Sequence, residues 1–285
     1  GLWLTVAAGL TNMVGDWLLV GVLPWGVAGA AIATVASSFV GGVVPLVYFL
    51  LPNKTPLRLT GARFEGRVLA QTCSNGSSEM MGNLSTSLVS ILYNFQLMRL
   101  IGEDGVAAFG VIMYVNFIFI GVFMGYSIGA GPIISYHYGA GNQEELRSLL
   151  RKSLLLMLAG CAGLTAAAVG MAFPLSRIFV SYDADLLALT ARGFRLYALS
   201  FLAMGFNIFG SAFFTALGNG VLSAAIAFLR TLLFQTAAIF VLPLFLGLDG
   251  IWLAVTAAEV LTLAVTAAFL VTQRVRYGYG GLPAS

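Results

Sequence analysis

Charge is scarce in this chain. Only 9% of its 285 residues are Asp, Glu, Lys or Arg, against about 25% in an ordinary soluble domain, and that shortage excludes a water-soluble fold of this length. Histidine is limited to His137, in the run Ser135 to Asn142, where the one reading on offer is a pH-sensing group at the end of a span. Cysteine is limited to Cys73 and Cys161, which form no CxxC, so neither a disulfide framework nor a metal site is implied and both read as small packing residues. No GxxxxGK[ST] loop is present, which excludes ATP hydrolysis by the P-loop route. There is no HExxH pair, and an enzyme is not expected.

What the chain has instead is apolar length. It is 59% hydrophobic with a mean hydropathy of +0.95. A spanning helix needs about 20 mostly apolar residues, and eight such stretches can be marked out. They run approximately Leu2 to Leu23, Val27 to Leu51, Arg67 to Arg99, Val106 to Tyr138, Leu149 to Phe173, Leu186 to Leu217, Val221 to Leu246 and Ile251 to Gln273. Strands of a membrane barrel would alternate polar and apolar residues over about 10 positions, and these stretches do not. The expectation is an all-α membrane protein with eight transmembrane helices.

The basic residues sort unevenly over the connections. Nine of the 14, Lys54, Arg58, Arg63, Arg67, Arg147, Arg151, Lys152, Arg274 and Arg276, fall on one side. Four, Arg99, Arg177, Arg192 and Arg195, fall on the other, and Arg230 lies inside a span. The positive-inside rule places the richer side and the C-terminus in the cytoplasm. The net charge of +3 is then a matter of topology, with no nucleic-acid patch in it.

Gly1-Leu2-Trp3 opens the chain without an initiator Met, a basic n-region or a cleavage site, so the first span is not a signal peptide and the start reads as that of a fragment. The one long polar break, with Pro52, Pro56 and Gly61, divides two spans from six. Across that break, Gly26-Val-Ala-Gly29 and the helix after it resemble Gly247-Leu-Asp-Gly250 and its helix at an offset of 221 residues, each following an apolar span with a proline near its end, Pro24 or Pro243. Transporters are commonly built from such repeats. The expected organisation is residues 1–51 as the end of one lobe, 52–66 as a cytoplasmic linker, 67–273 as a six-helix lobe and 274–285 as a cytoplasmic tail.

Within the third span, Thr72, Asn75, Glu79, Asn83, Thr86 and Ser90 recur at steps of three and four, on one helical face. Glu79 lies roughly 18 Å along that helix from Arg67, near the middle of a hydrocarbon layer about 30 Å thick. An acid at that depth is costly and faces a protein interior or a wet cavity. A second stripe, Ser200, Met204, Asn207, Ser211 and Thr215, follows in the sixth span. Two facing stripes would line a cavity, whereas Ser, Thr and Asn also join helices through hydrogen bonds. Tyr114 and Asn116 in the fourth span are further lining candidates, beside Gly121, Gly125 and Gly129, which read as helix packing, and Pro132, which is expected to kink or end the helix. Glu79, Glu259 and Arg230 are the mid-depth charges of the six-helix part. Two acids and one base cannot pair one to one, so either one carboxyl carries a proton or it holds an exchangeable cation. The other possibility is a structural pair of Arg230 and Glu259, with Glu79 protonated and inert. Asp16 is a second intramembrane acid or lies near the outer interface.

These residues resemble the multidrug and toxin extrusion (MATE) transporters, particularly their MepA-like and DinF-like branch. The resemblance rests on Asn75-Gly-Ser-Ser-Glu79, Gly105-Val-Ala-Ala-Phe-Gly110, Pro132-Ile-Ile-Ser-Tyr-His-Tyr-Gly-Ala-Gly-Asn142 and Asn12-Met-Val-Gly-Asp16, and covers nearly the whole chain. It implies a twelve-helix fold of two six-helix lobes around a central cavity, of which this chain supplies the last two helices of the N-lobe and a complete C-lobe. It further implies export of amphipathic organic cations in exchange for H+ or Na+, with no other cofactor. Glu79, Glu259 and Asp16 are then candidates for ion coupling or substrate counter-charge. Thr72, Asn75, Asn83, Thr86, Tyr114, Asn116, Asn207, Ser211 and Arg230 are candidates for lining. Where some members have an Asp in the fourth C-lobe helix this chain has Asn207, which removes part of that sodium site. The expected partners are small organic cations and membrane lipid, and a monomer is expected. The alternatives are a flippase for lipid-linked precursors, which would want several cationic residues along its path, and a non-transporting membrane scaffold.

Overall fold

The structure, a computed structural model, describes residues 2–51 and 64–280, with the side chains of Asn75, Ser78 and Glu79 outside that description. The described residues are helical, with no strand among them. They fall into two compact units, Gly1–Glu65 and Gly66–Ser285. Most of the expected linker, residues 52–66, and the end of the expected tail lie outside the described residues.

The first unit is a pair of helices. α1 (Leu2–Asp16) continues into a π-helical turn (Trp17–Val22), and α2 (Gly26–Leu50) returns beside it. Glycine decides where they touch. A Cβ on Gly15 would stand 2.8 Å from the Cβ of Ala33, and one on Gly29 would stand 2.8 Å from the Leu19 carbonyl oxygen.

The second unit contains α3 (Gly66–Leu100), α4 (Glu103–Gly139), α5 (Gln143–Val180), α6 (Ala184–Ala198), α7 (Phe201–Ala216), α8 (Gly220–Phe228), a π-helical segment (Leu229–Gln235), α9 (Thr236–Leu246) and α10 (Leu248–Thr272). The connections are short and capped by side chains that satisfy the free N–H groups of the first turn. Asn142 accepts from the Glu145 N–H, Asp183 from Asp185 and Leu186, and Asn219 from Leu222. The core is aromatic at its centre, with Phe123, Phe194, Phe201, Phe209, Phe213, Phe214 and Trp252 fully buried.

Six helical runs among the described residues are long and apolar enough to cross a membrane, and α6 with α7, bent by 50°, makes a seventh if counted as one span. The third expected span does form a helix, the 35-residue α3. It does not join that set, because the polar residues along it dilute its apolar content. Pro132 does not end α4, which runs through it to Gly139, and α5 likewise runs through Pro174 to Val180. Each proline removes one backbone donor, which neighbouring turns of a long helix absorb. The sixth stretch instead breaks at Leu199 and Ser200, where the N–H groups turn to carbonyls three residues back. The stripe Gly121, Gly125 and Gly129, expected to seat a neighbouring helix, meets nothing within 4 Å of an added Cβ. Close approach falls on other glycines: Gly193 against Trp252, Gly205 against Phe123 and Cys161, and Gly210 against Thr266.

The sequence repeat is visible in backbone conformation. Gly26 and Gly247 both have φ +56°, a left-handed value that favours glycine. Three residues on, Gly29 and Gly250 each press the preceding helical segment's backbone, a Cβ on Gly250 standing 2.5 Å from the Leu242 carbonyl carbon and oxygen. Four residues further, Ala33 and Ala254 are both buried. The pattern at the start of α2 therefore recurs at the start of α10, because both helices enter by a sharp glycine turn against the helix before them. Gly250→Ala is accordingly expected to cost about 1–3 kcal/mol by overpacking, seen as earlier loss of monodisperse protein on heating. Gly121→Ala, which meets open space, is expected to leave that temperature unchanged.

One end of the second unit is drawn together by the C-terminal turn. The Asn219 amide donates to the Tyr277 hydroxyl at 2.7 Å, and the Tyr279 hydroxyl donates to the Leu270 carbonyl at 3.0 Å. Burial, and then the neighbouring Tyr277, pushes the Tyr279 phenol up to about 12. The Ser135 hydroxyl donates to the Ala216 carbonyl, tying the end of α4 to the end of α7. The other end holds an ion pair, Arg192 with Asp249 at 2.6 Å, joining α6 to the first turn of α10.

Candidate functional site

The most developed polar cluster inside the second unit is built on Glu259. α10 carries this carboxylate to a position only 2% exposed. Its Oε1 accepts from the Arg230 Nε at 2.7 Å, and its Oε2 from the Asn207 amide at 2.7 Å. The same Asn207 amide reaches the Glu259 backbone carbonyl at 2.9 Å, and Thr266 donates to the Asn207 Oδ1 at 3.0 Å. Three elements thus supply the cluster: α7, α10 and the π-helical segment that carries Arg230. A π-helical turn inserts an extra residue and redirects its side chains, and such turns recur at functional sites. Both carboxylate oxygens are satisfied, so the buried charge of Glu259 is compensated as burial requires.

The same geometry corrects one expectation. The stripe on α7 does not face the stripe on α3 across a cavity. Ser200, Met204 and Asn207 are buried within the unit, and Ser211 bonds with Ser223 at 2.8 Å, which also receives Thr215 at 2.7 Å. From Asn207 onward the α7 stripe is interhelical hydrogen bonding, because Asn207 finds partners on α10 and Ser211 and Thr215 find one on α8, whereas the buried Ser200 hydroxyl has none.

α3 presents three faces. Ser85, Val89, Tyr93 and Leu97 pack into the unit, Tyr93 donating to the Ile251 carbonyl at 2.9 Å and stacking on Phe109. Leu84, Leu88, Ile91 and Phe95 form an exposed apolar face. Between these lie Thr72, Asn83, Thr86 and Ser90, all exposed. Thr72 and Thr86 return their hydroxyls to the carbonyls of Val68 and Gly82. Glu79 and Asn75 belong to this helix by backbone, and their side chains lie outside the described residues.

The remaining candidates separate. Asn116 is buried on α4 and its Oδ1 has no hydrogen-bond partner, whereas Tyr114 is 69% exposed and stacks beside Phe179. Asp16 ends α1 just before its π-helical turn, half-buried, with one carboxylate oxygen unpartnered. His137 is half-buried near the end of α4, with an unpartnered Nδ1. Cys161 packs beneath Gly205, and Cys73 is exposed. Among the described residues, no three His, Cys, Asp or Glu side chains are grouped to hold a metal ion. Gly125-Tyr-Ser-Ile-Gly129 carries the letters of a GxSxG nucleophile elbow. It lies inside α4 rather than at a strand-to-helix turn, and Ser127 is buried without a bonded base, so it forms no elbow.

Long apolar helices enclosing a mid-depth ion pair define a multi-pass α-helical membrane protein. Its relatives agree in kind. A family model described as MatE matches residues 80–241, more than half of the chain, and the chain belongs to that family. Solved structures share the fold. An outward-facing multidrug resistance MATE family transporter of the MOP superfamily superposes with a TM-score of 0.84 at 22% identity, over 95% of this chain and 60% of its own. VcmN, a MATE transporter of Vibrio cholerae, gives 0.82 at 19% identity over 96% and 62%. A MOP superfamily transporter from Pyrococcus furiosus, described as having a binding pocket of reversed polarity that suggests a different function, gives 0.82 at 21% over 96% and 62%. The chain therefore spans about three fifths of the length of these transporters. Among curated proteins, none matches by sequence.

Proposed function

We propose that this chain belongs to a secondary transporter that exports amphipathic organic cations in exchange for H+ or Na+, with Glu79 on the polar face of α3 as the coupling carboxyl or counter-charge. The observation that carries this reading is the exposed polar face of α3, beside a packed face and an apolar one. In a bilayer such a face requires a wet or protein-lined surface opposite it. Asn83, Thr86 and Ser90 give that surface neutral hydrogen-bonding groups, which suit varied cations better than a fixed anion site. Asp16 on α1 is the second proposed ion-coupling acid.

The Glu259 cluster is assigned a supporting role. α3 packs against α8 and the π-helical segment, and Glu79 and Arg230 lie about 20 Å and 15 Å along these helices from the same end of the unit. Arg230, held by Glu259, would keep a fixed positive charge near that depth. The basic end of the unit, with Arg147, Arg151, Lys152, Arg274 and Arg276, is proposed as the cytoplasmic one, in a bacterial inner membrane.

Ethidium accumulation tests the transport reading. Cells producing the transporter are expected to hold less dye than control cells, and a protonophore is expected to raise the dye to the control level if protons drive export. Insensitivity to the protonophore with sensitivity to removal of external sodium would assign sodium. Equal accumulation with and without the transporter would remove the proposal.

A further inference from the structure

Away from the Glu259 cluster, a groove of about 400 Å³ opens on the outer surface of the second unit between α5 and α7. Arg147 and Arg151 form its mouth, one turn apart on a single face of α5. Its wall continues down the same face through Leu154 and Leu158, and Phe206 of α7 closes the far side. Both arginines are exposed, and among the described residues neither is in an ion pair, although Glu144 and Glu145 lie in the turn before them. The uncharged run of α5 begins after Lys152, which sets the two guanidinium groups at the water-facing edge of the bilayer.

We infer that this groove binds one anionic phospholipid, its phosphate held by Arg147 and Arg151 and one acyl chain lying along Leu154 and Leu158 against Phe206. Two features argue for that occupant over a soluble anion or a peptide. The two charged residues that line the groove are both arginines and present planar N–H forks suited to a phosphate. The groove descends from Arg147 to Leu158, about 16 Å at 1.5 Å per residue, which is comparable to one leaflet of a hydrocarbon layer about 30 Å thick. Leu158 is 58% exposed, so the groove is open along its length to a chain arriving sideways from the bilayer. Basic surfaces at membrane edges attract anionic lipid in this way.

Native mass spectrometry of the purified chain, titrated with phosphatidylglycerol or phosphatidylcholine of equal chain length, tests the site. Wild-type protein is expected to retain phosphatidylglycerol on the order of tenfold better. Arg151→Gln should lose part of that preference and Arg147→Gln/Arg151→Gln all of it. Arg99→Gln/Arg177→Gln, which removes two charges at the opposite end, should keep it. The inference is overturned if the groove double variant keeps the preference, or if the control loses as much. It is also overturned if millimolar inorganic phosphate displaces the lipid, because the binding would then owe nothing to the acyl chain.

Discussion

Glu79→Gln is expected to bring ethidium efflux down to that of cells without the transporter while leaving the amount of membrane-inserted protein unchanged or raised. The asymmetry follows from where the acid lies. A carboxylate in mid-span costs about 2.5–3.5 kcal/mol on insertion scales, so the neutral amide relieves the fold of that cost and removes only what the charge was kept for. Gln preserves shape and hydrogen bonding, which isolates the charge and the proton from packing. Glu79→Asp, which keeps the acid and draws it back by one methylene, should retain partial efflux. Undiminished efflux by Glu79→Gln, measured beside equal protein levels, would refute the proposed role. A loss of both efflux and protein would locate the residue's importance in folding instead.

The fold was readable from sequence where apolar length and glycine punctuation agree. Each of the eight stretches contains helix, and the 221-residue repeat returns as matching left-handed glycines at Gly26 and Gly247. Direction was less readable. Asn207 and Ser211 have the same helical spacing whether they line a cavity or bond to a neighbour, and only the positions of Glu259 and Ser223 decide. The break at Leu199 and Ser200 contains neither glycine nor proline, so no local rule announces it. The π-helical segment is equally silent, since the extra residue it accommodates leaves no mark in the composition of Leu229–Gln235. Gly121, Gly125 and Gly129 show the converse, a motif whose spacing suits close packing but whose face is open. The charges told more than the polar residues: with one base among three mid-depth charges, a pair of Arg230 and Glu259 was one of few arrangements available, and it is present.

That pair sets the second large effect. Glu259→Ala is expected to destabilise the second unit by about 3 kcal/mol, at the low end of the 3–5 kcal/mol range for breaking a buried pair, because Arg230 keeps some access to solvent. The alanine leaves two donors without acceptors, the Arg230 Nε–H and one Asn207 amide hydrogen, and loosens the Asn207 side chain to which Thr266 donates. Glu259→Gln should cost less, since one oxygen remains to accept from Arg230. The double change Arg230→Met/Glu259→Leu should recover most of the loss, as both charges leave together. Thermal unfolding of the purified variants orders these three, and efflux by the same variants separates two roles for Glu259. If it holds Arg230 in place, efflux follows stability down the series and the double variant stays low for want of the positive charge. If it were itself a coupling carboxyl, Glu259→Gln would remain stable and lose efflux entirely, which is opposite to what two fully engaged carboxylate oxygens imply.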